Sequence, residues 1–239
     1  MNHLKLIHQY LEEKESLEAI PPTGYPFVTI SRQGGAGGHL LAHVLMTDFL
    51  AEANQGLFGG WHVFDRELCE IVAEDPELHT TMENLLGERY RSEFSDFMEG
   101  LFSGRSEQYL LCKKTFRIVR ILGLLGKVVI VGRAGAMVTR DLPQGIHIRL
   151  VAPQVARVRW MMRKLKLSKE AAERAVRKQD ADRRRMMRAF FNRDVDDPLI
   201  YDVVWNSEKS DPHEIAHAVI EMIKLRAAKQ RQKNKSSAT

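Results

Sequence analysis

The chain has 239 residues, is 44% hydrophobic and 28% charged, and carries 16 Gly and 8 Pro; that is long enough for one sizeable domain and excludes a disordered, collagen-like or mucin-like chain. Its formal net charge of +5 favours anionic partners without naming one. Cys69 and Cys112 lie far apart and can build neither a disulfide framework nor a cysteine zinc site. No apolar leader follows Met1, and the most apolar stretch, 118–131, is broken by Arg120 and Lys127, so the expectation is a soluble, cytoplasmic protein with no membrane partner.

Residues 2–18 predict an amphipathic helix, with Leu4, Ile7, Leu11 and Leu17 at helical spacing among charged residues. Pro21, Pro22 and Gly24 end it. Such a helix packs either back onto its own domain or onto a second subunit, which leaves a homodimer open. A strand at Pro26–Ile30 runs into Ser31-Arg32-Gln33-Gly34-Gly35-Ala36-Gly37-Gly38, and an apolar helix follows from Leu40 to Leu50. Strand, glycine loop and helix in that order make an anion site, because backbone N–H groups converge where the helix N-terminus is positive.

A second strand, Trp61–Phe64, ends at Asp65-Arg66-Glu67, and residues 67–125 read as mostly helical with breaks at Pro76, Gly87, 100–104 and Gly123. Lys127–Val131 is continuous and apolar, the pattern of a strand buried on both faces. It ends at Gly132-Arg133-Ala134-Gly135. Gly145–Val151 predicts a fourth strand feeding a helix from Val155 to Leu165, and Ser168 caps the next helix, which continues into the charged segment Lys178–Arg193. A final strand, Tyr201–Trp205, ends at Asn206-Ser207; the last helix spans Pro212–Leu225, and the basic tail 226–239 is expected to be disordered. No internal repeat is present.

Strands alternating with helices predict an α/β fold, a parallel sheet covered on both faces with ligands at the carboxyl ends of its strands. The chemistry-bearing residues stand at those ends: the loop from Ser31 to Gly38, Asp65-Arg66, Gly132-Arg133 and Asn206. The loop departs from the phosphate-loop pattern G-x-x-x-x-G-K-[ST], with Gly38 at the Lys position and His39 at the hydroxyl position. In the cluster Arg174–Arg193, Arg183-Arg184-Arg185 cannot all pair with Asp180 and Asp182, and unpaired guanidinium groups suit bidentate capture of phosphate oxygens. The histidines, among them His39, His43, His62 and His79, are read as structural or solvated, and no metal ligand is assigned. No serine stands in a G-x-S-x-G context.

Four stretches in this order carry a resemblance to the cytidylate kinase-like family, a branch of the P-loop nucleoside monophosphate kinases. These are Val28 to Gly38, Phe64-Asp65-Arg66-Glu67-Leu68, Val129 to Ala136, and Ala152-Pro153 with Arg157 running into Gln179-Asp180-Ala181-Asp182-Arg183; the segment Asp197 to Ser207 also fits. The resemblance covers about residues 25–225, leaving 1–24 as N-terminal helix and linker. It implies a P-loop NTPase-like three-layer fold with a helical acceptor-binding insertion (67–125) and an Arg-rich lid (168–195). It implies ATP as donor with Mg2+, and transfer of the γ-phosphoryl group to a small acceptor such as CMP. ATP would then be held by Ser31, Gln33, Gly34, Gly35, Ala36, Gly37, Gly38, His39 and Asn206, and the acceptor by Asp65, Arg66, Arg133 and Asp180. The catalytic cations would be Arg32, Arg133, Arg183, Arg184 and Arg188, with Arg32 standing in for the missing Lys. Cytidylate kinases proper carry Gly-Arg-Asp where this chain has Gly132-Arg133-Ala134, so reading of a cytosine base is not implied. Two further readings follow from the residues: a nucleotide-binding sensor without turnover, and a nucleic-acid-binding module using the basic cluster. The scarcity of aromatics near that cluster, Phe190 and Phe191 only, argues against the second.

Overall fold

The computed structural model describes residues 3–15, 24–85 and 107–236. Five parallel strands, β1 (Phe27–Arg32), β2 (His62–Phe64), β3 (Val128–Val131), β4 (Gly145–Val151) and β5 (Val203–Asn206), form one sheet in the order β2-β3-β1-β4-β5. Ile30 of β1 aligns with Val131 of β3 and with Ile148 of β4. The carboxyl ends of the three central strands therefore open side by side. The helices are α1 (His3–Glu15), α2 (Gly38–Ala51), α3 (Gln55–Phe58), α4 (Arg66–Glu74), α5 (Pro76–Asn84), α6 (Glu107–Leu125), α7 (Gly135–Val138), α8 (Gln154–Leu165), α9 (Lys169–Phe191) and α10 (Pro212–Ser236).

The alternation of a strand divides the core into two layers. Val128 and Ile130 join Val72 of α4 and Phe116 and Ile118 of α6 on one face. Val129 and Val131 join Leu41 and Leu45 of α2 and Val219 and Ile223 of α10 on the other. A smaller cluster, Val158, Met161, Ala172 and Val176, packs α8 against α9. The result is the three-layer α/β architecture expected, a parallel sheet with helices on both faces. Among the described residues, no helix is long and apolar enough to cross a membrane.

The structure settles where α1 goes. Ile7, Tyr10 and Leu11 are buried in the same core as α4 and α6, Tyr10 meets Phe64 edge-on at 5.1 Å, and Glu13 accepts from the His62 ring at 2.9 Å. The helix therefore covers the β2 edge of its own sheet.

Two expectations are corrected. The last helix does not stop at Leu225 but continues to Ser236, through much of the segment expected to be disordered; that stretch holds no Gly or Pro and is rich in Ala, Lys, Gln and Arg, all good helix formers. The break expected at Pro76 is present: α4 ends at Glu74, and Pro76 opens α5 with Asp75 as its N-cap. Gly123 lies within α6 without interrupting it. The expected breaks at Gly87 and 100–104 lie outside the described residues.

Candidate active site

The loop after β1 is built from left-handed backbone. Gly35 and Gly37 have φ of +80° and +82°, and Gly37 is the N-cap of α2 with no side chain capping it. The Ala36 N–H closes a turn on the Gln33 carbonyl at 3.1 Å. Among the described residues, the N–H groups of Gly35, Gly37, Gly38 and His39 meet no acceptor. Open amides at the start of a 14-residue helix are a cradle for an anion. They border a cavity of about 790 Å³ that also takes in the carboxyl ends of β1 and β3 and the inner face of α9.

Arg32 lies over Gly38, the residue that stands where the phosphate-loop pattern has Lys. Its stem runs over Gly38, where an added Cβ would stand 3.1 Å from Arg32 Cγ and Cδ, and its guanidinium presses on Gly132, where a Cβ would come within 2.1 Å of Nη1. Burial, and then the Arg183 and Arg133 guanidiniums, push Arg32 down to about 9. Arg133 and Arg183 are themselves lowered, each first by burial. Arg133 and Arg183 thus disfavour the charge of a buried Arg32 in a cavity that all three line, a conflict that an anion would relieve. His39 lies 3.5 Å from Arg32 Nη2, and burial and Arg32 hold its ring below the usual imidazole range.

The other side of the cavity is carried by α4 and the end of β3. Asp65 caps α4, one oxygen accepting from the N–H groups of Glu67 (3.0 Å) and Leu68 (3.2 Å), while the other lies 3.9 Å from His39 Nδ1. Gly132, Arg133 and Ala134 adopt φ of +86°, +54° and +52° in succession. Left-handed backbone at a residue with a Cβ costs about 1–2 kcal/mol, and strain of this kind gathers at functional sites. The turn is held by Gly132 N–H on Ile30 O and Gly135 N–H on Gly132 O, both 3.0 Å. Arg133 donates to Glu70 at 3.1 Å, and Arg66 donates to the same carboxylate at 3.1 and 3.2 Å. Met137, Met186, Met187, Val195 and Ile200 form the apolar wall.

The lid residues divide. Arg183 lines the cavity and is tethered by Asp180 (3.2 Å) and Gln179 (3.2 Å). Arg184 and Arg188, expected as catalytic, do not line it: they pair with Asp196 (3.6 Å) and Asp194 (3.8 Å) on the outer side, and Arg185 pairs with Asp182 (3.6 Å). The two local Asp do not serve all three consecutive Arg, as expected, but Asp196 pairs with Arg184 from outside the helix, so the unpaired guanidinium inferred from that shortage is not left over. Asp180, expected on the acceptor, instead accepts from the Gly34 N–H at 2.6 Å and Arg157 Nη1 at 2.7 Å. Gly34 accordingly turns from the cavity toward α9.

Other expected contacts are also redirected. Asn206 lies outside the cavity; its side chain accepts from the Glu208 N–H at 3.1 Å and shapes the turn after β5. Ser31 lines the cavity, but its hydroxyl accepts from Arg149 Nη1 at 2.9 Å and lies 3.2 Å from the Tyr201 hydroxyl. Gln33 also lines it, with Oε1 accepting from the Ala152 N–H at 3.1 Å. Sequence reasoning passed over Arg149, Glu70 and Tyr201. The signal for Arg149 was available: a charged residue within an apolar strand, its side chain only 3% exposed and paired with Asp196. Cys69 is the buried thiol expected, pushed up to about 12 by burial, whereas Cys112 is only partly buried.

Sequence reasoning missed two histidine pairs spaced H-x-x-x-H, His39/His43 and His213/His217, the second within H-E-x-x-H. Glu214 is spent at the start of α10, accepting from the Asp211 N–H at 2.9 Å, and His213 points to Asp48 at 3.4 Å. Among the described residues, no three His, Cys, Asp or Glu side chains are grouped to hold a metal ion.

A cytidylate kinase from Methanosarcina barkeri (strain Fusaro / DSM 804) is 31% identical over 91 residues, 37% of this chain and half the length of that relative. A crystal structure of an uncharacterized protein from Eubacterium ventriosum superposes with a TM-score of 0.61 at 21% identity, covering 83% of this chain and 98% of that one. Shikimate kinase from Bacteroides thetaiotaomicron gives a TM-score of 0.44 at 12% identity, over 84% of this chain and 97% of the other. Residues 27–209 match the cytidylate kinase-like family, and the chain belongs to that family.

Proposed function

We propose that the protein is an ATP-dependent phosphotransferase that moves the γ-phosphoryl group to a small acceptor of the nucleoside monophosphate class. One observation carries the reading: the open amides of Gly35, Gly37, Gly38 and His39 border the same cavity as the Arg32 guanidinium, whose charge burial and its neighbours Arg183 and Arg133 disfavour. Phosphoryl transfer needs in-line positioning and stabilisation of spread negative charge, with little covalent work by the protein.

In this mechanism the loop amides hold the donor phosphates, and Arg32 supplies the cation that a Lys at position 38 supplies in the common phosphate loop. A second cavity of about 230 Å³ shares Gly35, Ala36 and Gly37 with the loop and is lined by Leu40, Ala156, Trp160 and Pro212, with Arg159 and Arg163 at its side. We assign it to the donor base. Arg133 and Arg66, gathered by Glu70, hold the acceptor phosphate, and Arg183 reaches the transferring group from α9. The Asp65 oxygen facing His39 fits a magnesium ion, since that cation uses one or two carboxylates and otherwise phosphate oxygens and water. Bound there, magnesium would supply neutralisation of phosphate charge.

The test is ATP offered with CMP, dCMP, UMP and AMP in turn, followed by phosphorus NMR. A diphosphate product with at least one acceptor is expected. No product with any of them overturns the enzymatic reading, and thermal stabilisation by ATP in that case would identify a nucleotide-binding protein instead.

A further inference from the structure

Asp180 of α9 and Arg157 of α8 meet the phosphate loop at one residue, Gly34, and that contact forms a closed ring. Asp180 Oδ1 accepts from the Gly34 N–H at 2.6 Å, Arg157 Nη1 donates to Asp180 Oδ2 at 2.7 Å, and the same Nη1 donates to the Gly34 carbonyl at 3.0 Å. Both ends of one loop residue are therefore held by a single ion pair. Arg157 Nε donates further to the Ala152 carbonyl at 2.9 Å. Both side chains are nearly buried, Asp180 at 12% and Arg157 at 9% exposure. The approach is close: a Cβ at Gly35 would stand 2.6 Å from the Arg157 carbonyl oxygen, which excludes it, and one at Gly34 would crowd the Val176 carbonyl oxygen at 3.2 Å.

Asp180 Oδ1 also accepts from Arg183 Nη1 at 3.2 Å. One oxygen thus sets both a peptide of the phosphate loop and a guanidinium that faces the cavity. We propose that Asp180 is a positioning residue that fixes the Arg183 guanidinium to the Gly34 peptide, so that loop and lid present their donors to the phosphates in one register. This assignment rests on the phosphotransferase reading. The ring is not what holds α8 to α9, because Val158, Met161, Ala172 and Val176 form an apolar cluster between them. Its loss would free the Gly34 peptide to rotate and would leave Arg183 with only Gln179 as a tether. It would also leave the nearly buried Arg157 without its carboxylate, in surroundings where an unpaired charge is costly.

The experiment compares Asp180→Asn and Asp180→Ala with the wild type in two measurements. The first is kcat and the KM for ATP and for the acceptor identified above. The second is amide hydrogen exchange of the segment 28–40 in nucleotide-free protein, with thermal unfolding as the control for folding. The Asn variant keeps size and removes charge, so it stays folded if Ala does not. A lower kcat of about 10²-fold is expected, the cost of a displacement near 1 Å at a reacting centre, with a raised KM for ATP, an unchanged KM for the acceptor and faster exchange in the loop. A wild-type kcat in both variants overturns the proposal. So does a uniform rise of both KM values with unchanged loop exchange, which is the signature of general loosening. If the wild type transfers phosphate to no acceptor, it is the phosphotransferase reading that falls. The exchange data then decide the clamp alone: faster exchange upholds it and unchanged exchange removes it.

Discussion

Arg32 lies across Gly38: its Cγ and Cδ stand 3.1 Å from where a Cβ on that glycine would be. The loop lacks a Lys at the position where common phosphate loops carry one, and the neighbouring Arg occupies the space such a side chain would need. The two features are one arrangement. Arg32→Ala should lower kcat by about 10²–10³-fold, the loss associated with a preorganised donor at developing charge. Gly38→Lys in the wild-type background should also lower kcat, because it displaces the Arg32 stem. The double variant Arg32→Ala with Gly38→Lys should then recover part of the loss. Steady-state kinetics of the three variants check this; a double variant no better than Arg32→Ala alone would show that Arg32 does not take the role of the lysine.

The turn at Gly132, Arg133 and Ala134 keeps two residues with side chains in left-handed backbone. Ala134→Gly removes that cost at one of them and should raise stability by about 1 kcal/mol, read in urea unfolding. Gly132→Ala should act in the opposite sense and harm activity as well, since its Cβ would collide with Arg32 Nη1. Equal stability of Ala134→Gly and the wild type would mean that the turn is relaxed.

The lid arginines differ in what they face. Arg183 looks into the cavity, while Arg184 and Arg188 make long ion pairs on an exposed side, a type of contact worth about 0–1 kcal/mol. Arg183→Ala should cost activity on the order of 10²-fold or more, whereas Arg188→Ala should leave both kcat and unfolding midpoint near wild type. Equal loss of kcat in the two variants would place Arg188 on the substrate and contradict the division.

What could be read in the sequence follows from how local each signal is. The run Val128-Val129-Ile130-Val131 and the glycine loop are contiguous, so strand burial and the anion cradle were legible from spacing alone. The cluster Arg183-Arg184-Arg185 was misjudged because the third counterion, Asp196, comes from a loop beyond the end of the helix. Asp180 was drawn to the acceptor by its place in a resembling motif, yet its partner is Gly34, 146 residues away. Glu70 looked like an ordinary helix carboxylate until Arg133 met it from another strand end. Long-range ion pairs leave no periodicity, and that is the part of the site the chain did not announce.

His147 ties the sheet to acid stability. Its side chain is buried, with Nδ1 2.9 Å from Thr29 Oγ1 and the ring against Phe27, while the backbone N–H of His147 donates to Asp202 at 2.7 Å. Burial pushes the imidazole down to about 4. In the unfolded chain it would titrate near 6.5, so between about pH 6.5 and pH 4 the unfolded state binds more protons, and stability falls as pH falls through that window. The shift corresponds to about 3 kcal/mol, present in full above the unfolded value and lost once both states are protonated. Carboxylates titrate at the lower end of the same range, so the contribution has to be read as a difference. His147→Gln removes the titrating ring while leaving a polar group for Thr29. The stability gap between wild type and this variant, measured by urea unfolding, should shrink by roughly 3 kcal/mol from neutral pH to about pH 4. A gap that stays constant across the window would show that His147 is as free to take up a proton in the folded protein as in the unfolded one.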